Sequence, residues 1–380
     1  MSFAEHIERL DWERIRRKLQ ETEAPEVERV LGRNAIETDD LPVLFSRAAR
    51  SYLEELARRS AALTERRFGR VIQLYAPLYV SNECVNDCTY CGFARSLNVP
   101  RVTLPPEQAL EEARILHAEG FRHILLVSGE RRDKVGVSYL SEVAGELNEL
   151  FDSIAIEVNP MEESSYRQLV EAGIDGLVIY QETYDPELYQ QVHPRGPKRH
   201  YRHRLDAIEA GGRAGMRSLG IGALFGLGDW QVEAVVLAMH GRYLSRRFWR
   251  SRIGVSFPRL NPVASGYQPE KPVDVADLVQ MICGMRLVLP DAELVMSTRE
   301  PAPLRDNLIG LGVTRMSAGS RTNPGGYSHP EDAGRQFEVE DIRSPEAVAR
   351  AIQGRGFEPV WKDFDRRFLL HETPPKGGQT

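Results

Sequence analysis

Residues 79–93 read YVSNECVNDCTYCGF, and the rest of the chain is arranged around this stretch. Three cysteines, Cys84, Cys88 and Cys91, lie within it at C-x3-C-x2-C spacing. Only four cysteines occur among the 380 residues, so this crowding is not a compositional accident. Thiolates are soft ligands that suit iron–sulfur clusters, zinc or Cu(I). The stretch therefore predicts a metal centre held by cysteine.

The number of ligands separates the kinds of metal site that these cysteines could form. A structural zinc site takes four protein ligands. The nearest histidines, His117 and His123, lie far downstream, which leaves a Cys3His zinc site as the alternative. A disulfide would leave one of the three cysteines over. The fourth cysteine, Cys283, lies in an apolar run at helical spacing and is predicted to be a small buried hydrophobic residue. Three protein ligands on a four-iron cluster would leave one iron open to a substrate or cofactor.

Composition and charge limit the class of protein. The hydrophobic fraction of 42% is ample for a full core, and the 49 basic and 55 acidic residues give a net charge of −6. This balance argues against a nucleic-acid-binding protein. The first residues lack the apolar core of a signal peptide, and no apolar run approaches membrane-spanning length. We therefore expect a soluble, cytoplasmic protein that does not bind a membrane.

From residue 71 onward, short apolar runs alternate with amphipathic stretches. The predicted strands are 71–81, 121–128, 153–159, 176–181, 217–225, 253–260, 293–298 and 313–318. The predicted helices are 105–119, 138–150, 162–172, 198–214, 230–247, 274–289, 300–311 and 344–354. Eight such repeats predict an α/β fold, a closed (β/α)8 TIM-type barrel, with an open doubly wound sheet as the alternative. The cysteine loop directly follows the first strand, at the end of the barrel where catalytic loops belong.

Three regions are predicted. Residues 1–70 form an N-terminal helical extension, residues 71–320 form the barrel, and residues 321–380 form a C-terminal loop, helix and tail packed on the barrel. The stretch after residue 320 is rich in Gly and Pro and could act as a lid. Residues 372–380 are predicted to be a disordered tail.

The cysteine loop and its surroundings resemble a known enzyme superfamily. The C-x3-C-x2-C motif followed by Gly-Phe resembles the signature of radical S-adenosylmethionine (SAM) enzymes. The wider context, APLYVSN before the motif and CVNDCTYCGF within it, is similar to the aromatic amino acid lyase branch. Within that branch, it is most similar to the tyrosine lyases that make 2-iminoacetate for thiamine thiazole synthesis. The resemblance implies a radical SAM barrel with a [4Fe-4S] cluster on Cys84, Cys88 and Cys91.

The same resemblance implies which residues bind SAM. The Ser-Gly-Glu turn at the end of the second strand resembles a Gly-Gly-Glu-like turn that holds the methionine amino group, with serine in place of the first glycine. The end of the fourth strand resembles the segment that binds the ribose, and an arginine downstream matches the one that pairs with the SAM carboxylate. The implied SAM-binding residues are Phe93, Ser128, Gly129, Glu130, Gln181, Thr183 and Arg204.

Two groups of residues are predicted to bind the substrate. Glu157 and Asn159 alternate on the third strand and should face the same side, and a buried carboxylate there needs a cationic partner. That partner could be a ligand or a structural arginine. Ser297, Thr298 and Arg299 end the seventh strand and match the family's carboxylate clamp; an arginine with flanking hydroxyls suits that task.

The resemblance implies a reaction, in which a radical derived from SAM leads to cleavage of the Cα–Cβ bond of L-tyrosine, giving 2-iminoacetate and 4-cresol. The implied partners are thiazole synthase and a flavodoxin or ferredoxin as electron donor. A tryptophan lyase is the nearest alternative, and an iron–sulfur electron-transfer module is the non-enzymatic one. The hydrogenase-maturation lyases use a second, C-terminal cysteine cluster, whereas no cysteine follows Cys283 here.

Overall fold

The computed structural model describes residues 1–261, 265–269, 271–329 and 334–365. Its centre is a barrel of eight parallel strands. β1 pairs with β8 through Gln73–Tyr75 and with β2 through Ala76–Ser81, which closes the sheet. The strands are β1 (Val71–Ser81), β2 (His123–Ser128), β3 (Ser153–Glu157), β4 (Gly176–Glu182), β5 (Ser218–Ala223), β6 (Arg252–Ser256), β7 (Glu293–Met296) and β8 (Arg315–Ser317). The predicted closed barrel is confirmed, and the open sheet is excluded.

Several strands end earlier than predicted. β6 ends at Ser256 rather than at residue 260, and Pro258 follows, whose nitrogen cannot donate to a ladder. β3 ends at Glu157, just before Asn159-Pro160, so Asn159 lies outside the strand. These early ends leave longer loops at the carboxyl ends of the strands, where the candidate site residues lie.

The helices occupy nearly all the predicted positions around the barrel. They are α1 (Phe3–Glu8), α2 (Trp12–Glu21), α3 (Ala24–Leu31), α4 (Leu41–Phe45), α5 (Leu53–Phe68), α6 (Pro106–Ala118), α7 (Val137–Leu147), α8 (Glu163–Glu171), α9 (Pro186–Val192), α10 (Tyr201–Ala214), α11 (Trp230–Arg247), α12 (Val275–Val288), α13 (Ala302–Leu308) and α14 (Pro345–Gly354). The predicted N-terminal extension begins with two separate helices, because Asp11 caps α2 by accepting a hydrogen bond from the Arg14 amide. α9 was not predicted.

The N-terminal helices pack against the outside of the barrel. Phe3 is buried, its ring stacks on His240 of α11 at 4.1 Å, and its amide donates to the Glu209 carboxylate of α10 at 2.8 Å. Cys283 on α12 is fully buried, as predicted, and its thiol lies 3.6 Å from the carbonyl oxygen of Leu311. No described helix is long and apolar enough to span a bilayer.

The C-terminal segment also packs on the barrel. A ninth strand, β9 (Glu358–Val360), pairs in parallel with the start of β1 and was not predicted. The fully buried Arg305 of α13 forms an ion pair with Asp341. The Tyr327 hydroxyl donates to the Pro77 carbonyl of β1 at 2.6 Å. The boundaries at residues 70 and 320 stay predictions, and the predicted tail at 372–380 lies outside the described residues.

Candidate active site

The cysteine loop is fixed by bonds to its neighbours. The side chain of Asn86 donates to Glu130 at 2.8 Å and accepts from the Lys198 amide at 2.8 Å, so one amide joins the loops after β1, β2 and α9. Arg101 donates to the carbonyls of Phe93 and Ala94 at 2.9 and 2.6 Å. These bonds fix the backbone of the loop to the neighbouring loops of the protein.

The three thiols lie in a setting that suits metal binding. Burial raises the pKa of Cys84 and Cys88, and it raises that of Cys91 to about 11. A bound metal would offset this by stabilising the thiolates. Backbone amides of Asn86 and Phe93 point at the sulfur atoms of Cys84 and Cys91, at 3.5 and 3.4 Å. Such donors stabilise negative charge on sulfur.

Histidine geometry weighs against the zinc alternative. His123 is the first residue of β2, so it lies at the opposite end of the barrel from the cysteine loop and contacts Asp363 at 3.0 Å. His193 is packed against the loop, but both of its ring nitrogens are engaged, with the Tyr90 hydroxyl at 2.6 Å and the Tyr189 carbonyl at 2.7 Å. Neither His123 nor His193 is therefore free to serve as a fourth ligand.

A small cavity lies beside the cysteine thiols. Five of the seven predicted SAM-binding residues line it together with the three cysteines, namely Phe93, Ser128, Gly129, Glu130 and Arg204. The hydroxyl of Ser128 is buried without a hydrogen-bond partner among the described residues. A side chain on Gly129 would collide with the carbonyl of Glu83, so only glycine lets the turn approach the loop this closely.

Arg204 and Glu130 form a buried ion pair in this cavity. The guanidinium donates to Glu130 at 2.6 Å and to the carbonyl of Tyr180 at 2.6 Å. Burial opposes the charge on Glu130, but Arg204 and Lys198 more than offset it and lower its pKa. The arginine is thus held in place by protein groups, and its second terminal nitrogen lies 3.8 Å from Glu182. That Arg204 binds the SAM carboxylate stays a prediction.

The fourth strand presents a different face from the one predicted. Glu182 lines the cavity and pairs with Lys198 at 2.8 Å. Thr183 instead donates to Glu233 on the outer helix α11, and Gln181 is buried outside both cavities described here. That Gln181 and Thr183 bind SAM stays a prediction, and period-two alternation alone does not reveal which set of residues faces inward. Glu182 also has a positive φ of 71°, at a bulge where β4 leaves the sheet.

A larger cavity of about 980 Å³, part of it open to solvent, adjoins the first. Aromatic and aliphatic side chains form about half of its lining, and include Tyr75, Tyr79, Tyr90, Leu125, Val127, Tyr180, Leu224, Phe257, Val295 and Phe337. All three residues of the predicted carboxylate clamp, Ser297, Thr298 and Arg299, line it. The Arg299 guanidinium stacks on the ring of Phe337, 3.3 Å from its centroid, and burial lowers its pKa. The cavity therefore contains two cations, Arg299 and Lys198, together with a group of aromatic side chains suited to an aromatic ring.

Glu157 lies where the two cavities meet and lines both. Burial and the neighbouring Glu182 raise its pKa to about 7, while Arg204, Arg299 and Lys198 act in the opposite direction. Asn159, predicted to face the same way, does not line either cavity; it is buried, with its amide 3.4 Å from the Pro160 carbonyl. The prediction for Asn159 is wrong, because the strand ends two residues earlier and the alternation ends with it.

Several cavity residues were not predicted. Lys198 comes from the loop before α10, and Tyr180 donates to Ser256 at 2.8 Å across the barrel. Gln336 comes from the C-terminal segment and accepts from the Tyr79 hydroxyl at 2.6 Å. The excess of cations in the stretch around Lys198 was a usable signal. The sequence around Gln336 contains no pattern that would have predicted its place in the cavity.

The residues present fit an iron–sulfur cluster with bound SAM. The donor set is three thiols, and the cavity beside them holds an unpartnered hydroxyl, a glycine that no other residue could replace, and both signs of charge for an amino acid end group. A site built only for electron transfer would not need this cavity.

Comparisons with known proteins agree with this site. The Radical SAM superfamily model matches residues 78–239, and the Biotin and Thiamin Synthesis associated domain matches residues 256–358. In structure, the chain is similar to the FeFe-hydrogenase maturase HydG from Carboxydothermus hydrogenoformans, with a TM-score of 0.87 and 32% identity over 94% of this chain and 84% of that one. Methylornithine synthase (PylB), at 22% identity and a TM-score of 0.71 over 88% and 97% of the two chains, shows the shared fold alone.

Two relatives match along nearly their whole length. The 2-iminoacetate synthase of Salmonella typhimurium is 42% identical, over 96% of this chain and 97% of its own. The 2-iminoacetate synthase of Escherichia coli (strain K12) is 43% identical, over the same shares. The chain therefore belongs to the 2-iminoacetate synthase family of the radical SAM superfamily.

Proposed function

We propose that the chain cleaves the Cα–Cβ bond of L-tyrosine, giving 2-iminoacetate (dehydroglycine) and 4-cresol for thiamine thiazole synthesis. SAM is converted to 5′-deoxyadenosine and methionine. One observation carries the proposal: an aromatic-walled cavity containing Arg299 shares Cys91 and Glu157 with the cavity of the three cysteines. An amino acid bound in it lies next to the cofactors. The relatives that match over 96% of the chain support the same reaction.

Family membership implies a [4Fe-4S] cluster and SAM as cofactors. Cys84, Cys88 and Cys91 would hold the cluster, and the loop around Ser128 and Glu130 would hold SAM. When bound, these cofactors supply the hydrogen-abstracting radical. The remaining tasks belong to the protein, which must bind tyrosine, orient it and keep water out.

The substrate-binding residues follow from charge and shape. Arg299, fixed by stacking on Phe337, would bind the tyrosine carboxylate through its two-pronged donor face. Glu157, which faces the boundary between the cavities, would bind the ammonium group and place it toward the cofactors. The aromatic wall would hold the phenol ring.

Water exclusion depends on the C-terminal segment. Gln336 and Phe337 line the larger cavity from that segment, and the Gly92 amide donates to the Gln336 carbonyl at 2.9 Å. The segment is thus tied directly to the cysteine loop. A closed cavity protects a reactive radical from other hydrogen donors.

The two alternatives make different demands on the cavities. An electron-transfer module would leave Arg299 and the aromatic cavity without a role. A tryptophan lyase would use the same clamp and differ in the shape of the aromatic wall. The full-length relatives are named for 2-iminoacetate, the fragment that Cα–Cβ cleavage leaves from either amino acid, so the aromatic product is what separates the two substrates. Thiazole synthase as acceptor of 2-iminoacetate, and a flavodoxin or ferredoxin as electron donor, belong to this proposal.

The test is product analysis of anaerobically reconstituted protein. With tyrosine, SAM and dithionite, we expect 4-cresol in step with 5′-deoxyadenosine; with tryptophan in place of tyrosine, no aromatic fragment should appear. A Cys88→Ala variant is the control and should yield neither product. Cleavage of SAM that leaves tyrosine intact would refute the proposal. An aromatic fragment from tryptophan but none from tyrosine would show that the chain is a tryptophan lyase instead.

A further inference from the structure

The outer surface over the cysteine loop is strongly basic. Residues 193–205 read HPRGPKRHYRHRL and contain four arginines, one lysine and three histidines but no acidic residue. This is unusual in a chain with 55 acidic residues and a net charge of −6. Lys198 and Arg204 of this stretch point inward to the cavity, where they pair with Glu182 and Glu130. The remaining cations face outward and need a different explanation.

We call the outward-facing group the basic patch, formed by Arg95, Arg195, Arg199 and His200, all of which are exposed. Arg195, Arg199 and His200 line one shallow hollow on the surface. In the described part of the chain, none of the three arginine guanidinium groups forms an ion pair. By contrast, the neighbouring Arg202 is paired, with Glu8 at 2.8 Å. The Asp87 carboxylate, which accepts a hydrogen bond from Ser96, also interacts electrostatically with Arg195 and Arg95, so the patch keeps a net positive charge that is only partly compensated.

Backbone bonds place the patch directly on the cysteine loop. The Asp87 amide donates to the Arg195 carbonyl at 3.2 Å, and the Arg95 amide donates to the Asn86 carbonyl at 2.8 Å. Asn86 and Asp87 lie between Cys84 and Cys88 in the sequence. The backbone of the patch is thus hydrogen-bonded directly to the loop that carries the metal ligands.

We propose that the basic patch is the docking surface for a small acidic one-electron donor protein of the flavodoxin type. The inference rests on the proposed function, since a radical SAM reaction needs one electron delivered to the cluster. A donor must approach the cluster closely, and the backbone of the patch is hydrogen-bonded to Asn86 and Asp87, between Cys84 and Cys88. Opposite charge on the donor would speed the encounter and fix its orientation.

Two other polyanions could be attracted to such a patch. A nucleic acid would give salt-dependent binding without electron transfer, and it has no use for a surface placed over a metal loop. An acidic membrane surface would likewise not deliver an electron. The position of the patch favours the redox protein, and the experiment measures electron transfer rather than binding.

The experiment follows the reduction of the cluster by stopped-flow absorbance, under anaerobic conditions and without tyrosine. Reduced flavodoxin is mixed with the reconstituted full chain, either unchanged or carrying Arg195→Glu and Arg199→Glu. We expect the second-order rate constant to fall about tenfold or more at low ionic strength, and the difference to shrink as salt is added. Reduction by dithionite, a small reductant that needs no docking surface, should be unchanged.

A matched control comes from the opposite end of the barrel. Arg246, in the last turn of α11, and Arg250, after it, are also exposed and lie where β6 begins. The variant Arg246→Glu with Arg250→Glu has the same change in net charge and should keep most of the flavodoxin rate. The proposal would be overturned if both variants lost the same share of the flavodoxin rate, or if the patch variant lost none of it. It would also be overturned if the patch variant slowed reduction by dithionite by the same factor as reduction by flavodoxin. Because tyrosine is absent, failure of the lyase reaction would not imitate any of these results.

Discussion

At the scale of single residues, Arg299 carries most of the predicted substrate affinity. It is the cation of the larger cavity that stacks on Phe337. Removing a charge-assisted partner costs about 1.5–3 kcal/mol, or roughly tenfold to a hundredfold in affinity. We expect Arg299→Ala to raise the KM for tyrosine by about that factor while the iron content stays unchanged. Arg299→Lys should recover part of the affinity, and loss of iron in Arg299→Ala would show that the clamp assignment is wrong.

Glu157 should make tyrosine binding depend on pH. Burial and Glu182 raise its pKa to about 7. Only the ionised Glu157 carboxylate pairs with the ammonium group of the substrate, so binding releases a proton wherever Glu157 was protonated. The affinity for tyrosine should therefore rise with pH through about 7 and then level off. Titration of the tyrosine Kd between pH 6 and 8 checks this. Glu157→Gln should bind more weakly and lose that dependence; an unchanged pH profile in the variant would remove Glu157 from the site.

The residues that sequence reasoning placed correctly are those fixed by spacing or by a neighbouring motif. The cysteine loop and Ser297–Arg299 line the cavities as expected. Gln181 and Asn159 do not, since their orientation depends on where a strand ends and which face turns inward. Glu182 was not among the predicted site residues, because a bulge and a positive φ are invisible in alternation.

At the scale of elements, the contact between α1 and α11 should be sensitive to acid. His240 is buried against Phe3, and burial lowers its pKa to about 3. Between that value and about 6.5 the unfolded chain binds a proton that the folded chain does not, so the free energy of unfolding should fall as pH decreases, by up to about 1.4 kcal/mol per pH unit.

His240 is tested by comparing, in two proteins, how steeply the free energy of unfolding falls as the pH is lowered. Denaturant unfolding at pH 7, 6 and 5 should show a shallower loss of stability in His240→Phe than in the unchanged chain. Parallel slopes in the two proteins would mean that His240 does not titrate as its burial requires.

Element positions were largely predictable, and element ends were not. The 3.6- and 2-residue periodicities gave all eight barrel strands. The division of the first helix depended on a side-chain cap at Asp11, and the end of β6 depended on Pro258. β9 was missed because three residues carry too little pattern, and its partner lies almost 290 residues earlier in the chain.

At the scale of the whole molecule, the C-terminal segment joins the active site to the outer barrel. Asp341 pairs with the fully buried Arg305, and its amide donates to the Thr298 carbonyl beside the clamp at 3.1 Å. Asp341→Asn would leave a buried arginine without its counter-charge, which costs about 3 kcal/mol or more. We expect a lower free energy of unfolding and a higher KM for tyrosine.

The control for Asp341 is Glu346, which pairs with the exposed Arg350 on α14, away from the Asp341 network. Glu346→Gln should cost no more than about 1 kcal/mol, as is usual for exposed pairs. If the two variants lose similar amounts of stability, the buried pair does not hold the segment in place. Contacts of this kind join residues far apart in sequence, which is why the roles of Asp341 and Gln336 could not be predicted.

The central claim is that three thiolates hold a four-iron cluster with one iron left for SAM. The most direct test is electron paramagnetic resonance of the reduced, oxygen-protected protein with and without SAM. The account predicts a [4Fe-4S]⁺ signal whose g values change when SAM is added, because SAM occupies the iron without a thiolate. Zinc in place of iron, or a cluster signal that SAM leaves unchanged, would contradict it.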